Sequence, residues 1–179
     1  SRLSPRNRMV AGQMNQQGLA TLLFDLLTGS EAVAEERTGE LRFNIPFLTD
    51  RLAAAIGWSQ NNKNLKHLGI GLFGASTGAA AALCAAARIP EVQAVVSRGG
   101  RTDLAGNKAH HVLAPTLLIV GENDRPVMKW NEETLHRLPG IKHLAHIADA
   151  SHLFEEHGAL EEVAATAASW FKHYLAENE

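Results

Sequence analysis

One stretch decides the fold: Phe73-Gly74-Ala75-Ser76-Thr77-Gly78. It fits the pattern G-x-S-x-G and joins an apolar run, residues 67–73, to an alanine-rich run, residues 76–88. A strand that turns sharply into a helix here would strain the backbone of Ser76 and present its hydroxyl above the end of the strand. We expect Gly74 and Gly78 to remove Cβ atoms that would collide with neighbouring backbone. The alternative is a small-residue turn in which Ser76 only caps the helix.

Outward from this turn, short apolar runs alternate with segments of helical period. Strands are predicted over residues 19–24, 67–73, 92–96, 116–120 and 142–147. The middle runs are apolar at nearly every position, which is typical of parallel strands covered on both faces. Helices are predicted over residues 5–17, 45–58, 76–88, 127–138 and 159–175. The sequence therefore predicts an α/β protein with a mostly parallel sheet and helices on both faces.

Composition and charge exclude several classes of protein. The 179 residues carry 17 Lys plus Arg against 19 Asp plus Glu, with no basic block, so we expect no nucleic-acid partner. No apolar run approaches the ~20 residues of a membrane helix and no secretory signal is seen, so we expect a cytoplasmic protein without membrane contact. Cys84 is the only cysteine, and the histidines show no metal-ligand spacing, so neither a disulfide nor a metal site is expected. Because no repeat or linker divides the chain, residues 1–179 are predicted to form one domain.

A serine hydroxyl is a weak nucleophile at neutral pH and needs a base oriented by a carboxylate. Asp124 lies in a polar loop after the strand predicted over 116–120, with Glu122 as its nearest competitor. His152 lies in the loop after the strand predicted over 142–147, and is the candidate base. Each has a simpler interpretation, Asp124 as a helix cap and His152 as a surface histidine. The chain order of serine, aspartate and histidine, each after its own strand, is the order of α/β-hydrolases.

The predicted helix that begins after the serine could stabilise the negative charge of an acyl-transfer reaction. Free N–H groups and the positive end of the helix dipole at that point stabilise negative charge that develops during acyl transfer. The N–H of Thr77 is the candidate donor to the oxyanion. Arg98 and Arg101 follow the strand predicted over 92–96, where a guanidinium could anchor a substrate carboxylate. The alternative is that both arginines only brace the loop.

Four segments resemble the dienelactone-hydrolase-related group of α/β-hydrolases, and the resemblance covers essentially the whole chain. They are Gly71-Leu72-Phe73-Gly74-Ala75-Ser76-Thr77-Gly78-Ala79-Ala80-Ala81, Val95-Val96-Ser97-Arg98-Gly99-Gly100-Arg101, Pro115-Thr116-Leu117-Leu118-Ile119-Val120-Gly121 and Ser151-His152-Leu153-Phe154-Glu155-Glu156. The resemblance implies the α/β-hydrolase fold and hydrolysis of an ester or lactone through an acyl-enzyme, without a cofactor. The family's nucleophile, acid and base fall on Ser76, Asp124 and His152.

Dienelactone hydrolase itself uses a cysteine nucleophile, whereas this chain carries Ser76 at that position. We therefore expect a small carboxylic ester or lactone as the small-molecule partner rather than dienelactone. An acyltransferase and a catalytically inactive binding protein of the same fold remain alternatives. A nucleotide-binding domain is disfavoured, because the glycines do not spell G-x-G-x-x-G and no phosphate loop with lysine is present. The sequence leaves open whether the chain forms a homodimer.

The resemblance also bears on the start of the chain. In the α/β-hydrolase fold a second oxyanion donor comes from a loop before the first helix, which is predicted here from Pro5. The resemblance further implies a strand between those predicted over 19–24 and 67–73. We therefore expect the N-terminal strands of the fold, with the second donor, in a segment upstream of residue 1, of about 25–60 residues at typical strand and loop lengths.

Overall fold

Four parallel strands form the sheet in residues 1–175, the part of the chain that this computed structural model describes. They are β1 (Ile70–Ala75), β2 (Val92–Arg98), β3 (Thr116–Gly121) and β4 (Lys142–Ile147), and they lie side by side in chain order. All three pairings are parallel, so the carboxyl ends of the strands open at one edge of the sheet. Four of the five predicted strands are thereby confirmed.

Helices and 3₁₀ segments connect and flank these strands. The helices are α1 (Pro5–Gln16), α2 (Gly29–Thr38), α3 (Ile45–Asn61), α4 (Thr77–Ala86), α5 (Arg125–Arg137) and α6 (Ala159–Tyr174), and the 3₁₀ segments are Leu41–Phe43 and Thr102–His111. α2 begins with a capping box in which Thr28 and Glu31 exchange hydrogen bonds, and it ends at Gly39 in the left-handed region. None of the helices in residues 1–175 combines the length and apolar character needed to cross a membrane.

The third strand shows why the sequence is so evenly apolar. All six residues of β3 are buried, because successive side chains point to opposite faces and both faces are covered. Leu118 packs with α3 and α4 on one face, while Leu117 and Ile119 pack with α1 and α6 on the other. The predicted arrangement of helices on both faces of a parallel sheet is confirmed.

The prediction of a strand over residues 19–24 is wrong, because these residues form an irregular segment. The side-chain amide of Asn15 donates to the carbonyl of Leu19 (2.9 Å) and to the hydroxyl of Thr21 (3.0 Å), which ties this segment to the end of α1. Leu22 is 54% exposed. An apolar run forms a strand only where a neighbouring strand pairs with it. Within residues 1–175, β1 pairs with β2 alone and lies at the edge of the sheet, so residues 19–24 do not pair with it. The upstream strands stay a prediction.

Candidate active site

Ser76 lies between the last residue of β1 and the first residue of α4, with φ of 50° and ψ of −124°. A positive φ is uncommon for a residue with a side chain and marks a strained turn. The side chain of Ser76 makes no capping hydrogen bond to α4, so the alternative of a serine that only caps the helix is not what the structure has. The strain is expected of a residue whose hydroxyl is presented at the carboxyl edge of the sheet.

The two glycines that flank the turn differ in their surroundings. A Cβ on Gly74 would lie 2.5 Å from the carbonyl oxygen of Gly78 and 2.6 Å from Cα of Ala79, so the strand and the helix touch here through bare backbone. A Cβ on Gly78 would meet nothing within 4 Å. The expectation that both glycines are needed for space is therefore right for Gly74 and wrong for Gly78, which faces open space from the first turn of α4.

Main-chain hydrogen bonds hold the turn in place. The N–H groups of Ala79 and Arg101 both donate to the carbonyl of Ser76, at 3.1 and 3.0 Å, and the N–H of Ser76 donates to the carbonyl of Arg98 at 3.4 Å. Thr77 is the first residue of α4, so its N–H has no acceptor within the helix and lies at the positive end of the helix dipole. The turn therefore offers a free donor beside the serine.

The Asp124 carboxylate and the His152 imidazole are hydrogen-bonded, with 2.5 Å between Oδ2 and Nδ1. Asp124 follows β3 and His152 follows β4, so two neighbouring strand ends bring them together. The Asp124 side chain is 10% exposed and that of His152 43%. Asp124 makes no capping hydrogen bond to α5. Its competitor Glu122 points elsewhere, because its Oε2 accepts the N–H of Asp149 at 3.2 Å.

Glu122 and Asn123 join the loop after β3 to the loop after β4. The side-chain amide of Asn123 donates to the carbonyl of Asp149 (2.8 Å), and the N–H of Asp149 donates to Glu122. The backbone N–H of Asn123 adds a hydrogen bond of 3.0 Å to the carbonyl of Ala150. Asp149 has φ of 55°, and both polar groups of its backbone are held by these two side chains. The contacts fix the loop that carries His152.

Glu156 holds the same loop from its far end. Its Oε1 accepts the N–H of Ser151 at 3.0 Å. The side-chain hydrogen bond with Ser151, together with backbone hydrogen bonds of residues 151 and 156, lowers the pKa of Glu156 below its usual value. The preceding residue, Glu155, forms an ion pair of 3.0 Å with Arg6 of α1. The histidine loop is thus attached to α1 as well as to the loop after β3.

Ser76, Thr77, Asp124 and His152 line one cleft of about 440 Å³ at the carboxyl edge of the sheet. The remaining walls are formed by Arg42, Phe43, Arg101, Pro126, Val127 and Trp130. The structure therefore brings together the four residues that the sequence nominates for nucleophile, acid, base and oxyanion donor. Among the described residues, no group of three or more histidine, cysteine, aspartate or glutamate side chains could hold a metal ion.

The two candidate substrate-binding arginines are placed differently. Arg98 is not among the cleft-lining residues; its Nη2 donates to Asn7 of α1 at 3.0 Å. Burial, with a smaller effect of the nearby Arg6, lowers the pKa of Arg98 to about 10. Arg101 does line the cleft, but both Nε and Nη2 donate to Asp103, and this pairing raises the pKa of Arg101. Arg98, the last residue of β2, therefore contacts α1 rather than the cleft, and its role as a carboxylate anchor stays a prediction.

Five cleft residues were not nominated from the sequence: Arg42, Phe43, Pro126, Val127 and Trp130. Trp130 lies three positions after the buried Val127 on α5. Residues at this spacing share one face of a helix, so the spacing could have predicted that Trp130 lies beside Val127. Arg42 and Phe43 come from a 3₁₀ segment between α2 and α3. Nothing in their local pattern points to the cleft, because only the tertiary fold brings them there.

Comparison with known proteins identifies what this architecture is similar to. The crystal structure of a dienelactone hydrolase from Anabaena variabilis matches with a TM-score of 0.96 and 57% identity, covering 98% of this chain and 82% of that one. An esterase from Pyrococcus furiosus has a TM-score of 0.74 at 19% identity, covering 98% of this chain and 78% of that one, which shows the fold alone.

The curated relatives that match this chain are longer proteins. Two proteins of Mycobacterium tuberculosis strains, each named putative phosphoribosyl transferase, are 49% identical over 177 residues. The match covers 98% of this chain and 39% of theirs, so the chain spans about two fifths of the length of these relatives. The sequence profile of the Dienelactone hydrolase family matches residues 6–175. With this match and the geometry above, the chain belongs to the dienelactone hydrolase family and has the α/β-hydrolase fold.

Proposed function

We propose that this protein is a serine hydrolase that cleaves a small carboxylic ester or lactone through an acyl-enzyme intermediate. Ser76 is the nucleophile, His152 the general base and acid, and Asp124 the residue that orients the imidazole. One observation carries the proposal: a serine in a strained turn at the end of β1 lines the same cleft as a hydrogen-bonded aspartate–histidine pair.

The hydrogen bond between Asp124 and His152 supports the assignment of the proton. With Nδ1 of His152 donating to the carboxylate, Nε2 carries the free lone pair and can accept the hydroxyl proton of Ser76. Asp124 also stabilises the imidazolium that forms when that proton is transferred. Its low exposure strengthens this effect, because water screens a nearly buried carboxylate poorly.

The chemistry runs in two balanced steps. In the first, Ser76 Oγ forms a bond to the carbonyl carbon, the ester C–O bond breaks, and His152 passes the serine proton to the departing alcohol. In the second, His152 takes a proton from water, the hydroxide attacks the acyl carbon, and the proton returns to Ser76 as the acid leaves. The N–H of Thr77 stabilises the oxyanion of each tetrahedral intermediate.

The test is hydrolysis of p-nitrophenyl acetate by a Ser76→Ala variant. We expect turnover to fall by at least about a thousandfold, because both steps pass through the serine oxygen. Ser30→Ala is the matched control, since Ser30 is an exposed serine in the first turn of α2, outside the cleft. A folded Ser76→Ala variant as active as the wild type would contradict the proposal.

An acyltransferase and an inactive binding protein remain the alternatives. A fluorophosphonate probe separates them: an unlabelled Ser76 favours a binding protein, and labelling with acyl transfer to an acceptor other than water favours a transferase. The phosphoribosyl transferase named in the mycobacterial relatives describes proteins of which this chain spans 39%. No feature of the cleft favours that activity over ester hydrolysis, so it is not proposed for this chain.

A further inference from the structure

We propose that the cleft selects an uncharged ester, because each arginine and carboxylate that lines it is already paired with a group of opposite or complementary charge. This inference rests on the proposed function and names the substrate class of that site. The charged and titratable residues of the lining are Arg42, Arg101, Asp124 and His152. An anionic substrate would need one of the two arginines to be free, and the structure gives each of them a carboxylate partner.

Arg101 is engaged on two sides. Its Nε donates to Oδ1 of Asp103 at 3.0 Å and its Nη2 to Oδ2 at 2.9 Å, which is the two-pronged geometry that a substrate carboxylate would otherwise use. The guanidinium also lies over the ring of Trp130, 4.3 Å from its centroid. The side chain is thus held against Trp130 in the cleft wall, with its charge balanced by Asp103.

Arg42, the other arginine of the lining, also pairs with a carboxylate. Its Nε donates to Oε1 of Glu35, which is buried in α2 and accepts the backbone N–H of Leu41 through Oε2 at 2.6 Å. Removing Arg42 from Glu35 would leave a carboxylate buried without its counter-charge. Arg42 therefore helps to attach α2 to the adjacent 3₁₀ segment, and the carboxylate of Glu35 balances its charge.

Charge balance decides the preference. A substrate carboxylate that approached Arg101 would also approach Asp103, so attraction and repulsion would largely cancel, while the carboxylate would still lose its water. Apart from Ser76 and Thr77, the uncharged residues of the walls are apolar or aromatic: Phe43, Pro126, Val127 and Trp130. Apolar acyl or alcohol groups gain from burial against these side chains without such a cost.

Trp130 is the specificity-determining wall in this arrangement. The hydroxyl of Thr102 donates a hydrogen bond of 3.2 Å to the backbone carbonyl of Trp130. The same hydroxyl accepts a buried hydrogen bond of 2.9 Å from the hydroxyl of Thr134. Arg101 covers the ring from one side. The backbone of Trp130 is thus held in place, and its indole offers a large apolar surface with only two side-chain torsions to fix, so flat apolar groups bind against it at a low entropic cost.

The experiment compares two substrates that share the p-nitrophenyl ester and differ in charge and one methyl group: p-nitrophenyl hydrogen succinate and its methyl ester. For the wild type we expect kcat/KM to be at least about tenfold higher for the methyl ester, measured by release of p-nitrophenolate. Asp103→Asn frees Arg101, and we expect it to shift the ratio toward the anionic substrate by about tenfold. Asp50→Asn is the control, because it breaks an Asp–Arg pair with Arg88 outside the cleft.

A wild type that cleaves the anionic ester as well as the neutral one would overturn the inference. An unchanged ratio in a folded Asp103→Asn variant would overturn the assignment to the Arg101–Asp103 pair. If neither ester is cleaved faster than by Ser76→Ala, the proposed function fails separately. Calorimetric binding of the p-nitroanilide analogues of both esters then still measures the charge preference, with tighter binding of the anionic analogue counting against it.

Discussion

The serine and the histidine of the candidate site are held by different kinds of contact. Around Ser76 the contacts are backbone against backbone: Gly74 touches α4 directly, and the hydrogen bonds of the turn join main-chain groups. Around His152 they are side chains: Glu122, Asn123 and Glu156 hold the loop by its backbone. The first region is set by close packing, the second by polar groups near the surface.

This difference predicts how each region fails. Close-packed backbone tolerates no added atom, so a small substitution there should cost stability before it affects chemistry. A loop held by hydrogen bonds should lose stability in small steps, because each bond contributes only about 1 kcal/mol. Its stability should also depend on pH, because carboxylates accept two of these bonds. We test this contrast first at the Asp124–His152 pair, where polar side chains perform the proposed chemistry.

Asp124→Asn should have the largest effect. An amide in place of the carboxylate can hold the imidazole in the wrong tautomer and cannot stabilise the imidazolium, so we expect kcat to fall by about 10⁴-fold with little change in stability. Steady-state hydrolysis of p-nitrophenyl acetate and thermal unfolding measure the two effects. Glu122→Gln is the control, because Glu122 contacts Asp149 rather than His152. The assignment is wrong if Glu122→Gln loses more activity than Asp124→Asn.

Gly74→Ala should have the next largest effect, and it acts on stability. The new Cβ would lie 2.5 Å from the carbonyl oxygen of Gly78, so β1 and α4 must separate, and we expect a loss of about 3 kcal/mol in the free energy of unfolding in urea. Gly78→Ala adds the same atom where nothing lies within 4 Å. There we expect a gain of up to about 1 kcal/mol, because alanine favours a helix.

Equal effects of the two substitutions would contradict the view that the turn is held by close packing at Gly74. Activity separates the two variants further. Gly78 faces open space beside Ser76, so Gly78→Ala can reduce turnover by narrowing the approach to the serine while it stabilises the fold.

The contrast also explains what the sequence predicts well. β1 to β4, and the serine, aspartate and histidine that follow three of them, depend on dense local patterns: buried apolar runs, then a turn. The segment at 19–24 has the composition of a strand, but its hydrogen bonds go to Asn15 of α1, which no local pattern reveals. The direction of Arg98 depends likewise on Asn7, 91 positions away in the chain. Such features are decided by tertiary contacts between distant segments.

Asn123→Ala should have a smaller effect. It removes the hydrogen bond to the carbonyl of Asp149, and we expect a loss of about 1 kcal/mol in unfolding free energy together with about a tenfold loss in kcat/KM, because the loop that carries His152 loosens. Asn61→Ala is the matched control: its amide donates to the carbonyl of Gly57 on α3, outside the cleft. A similar loss of activity in both variants would show that Asn123 acts on stability alone.

Glu156→Gln should give the smallest effect, visible mainly in its pH dependence. The pKa of Glu156 is lowered below 4.5, so the ionised carboxylate stabilises the fold above that pH and this stabilisation is lost as the pH falls through the lowered pKa. Glutamine does not titrate. The difference in melting temperature between wild type and variant should therefore be greatest at neutral pH and should shrink on acidification below about pH 4.5. Glu133→Gln, at an exposed position of α5, corrects for the loss of one negative charge. A difference that stays constant or grows on acidification would mean that Glu156 does not hold the histidine loop through its charge.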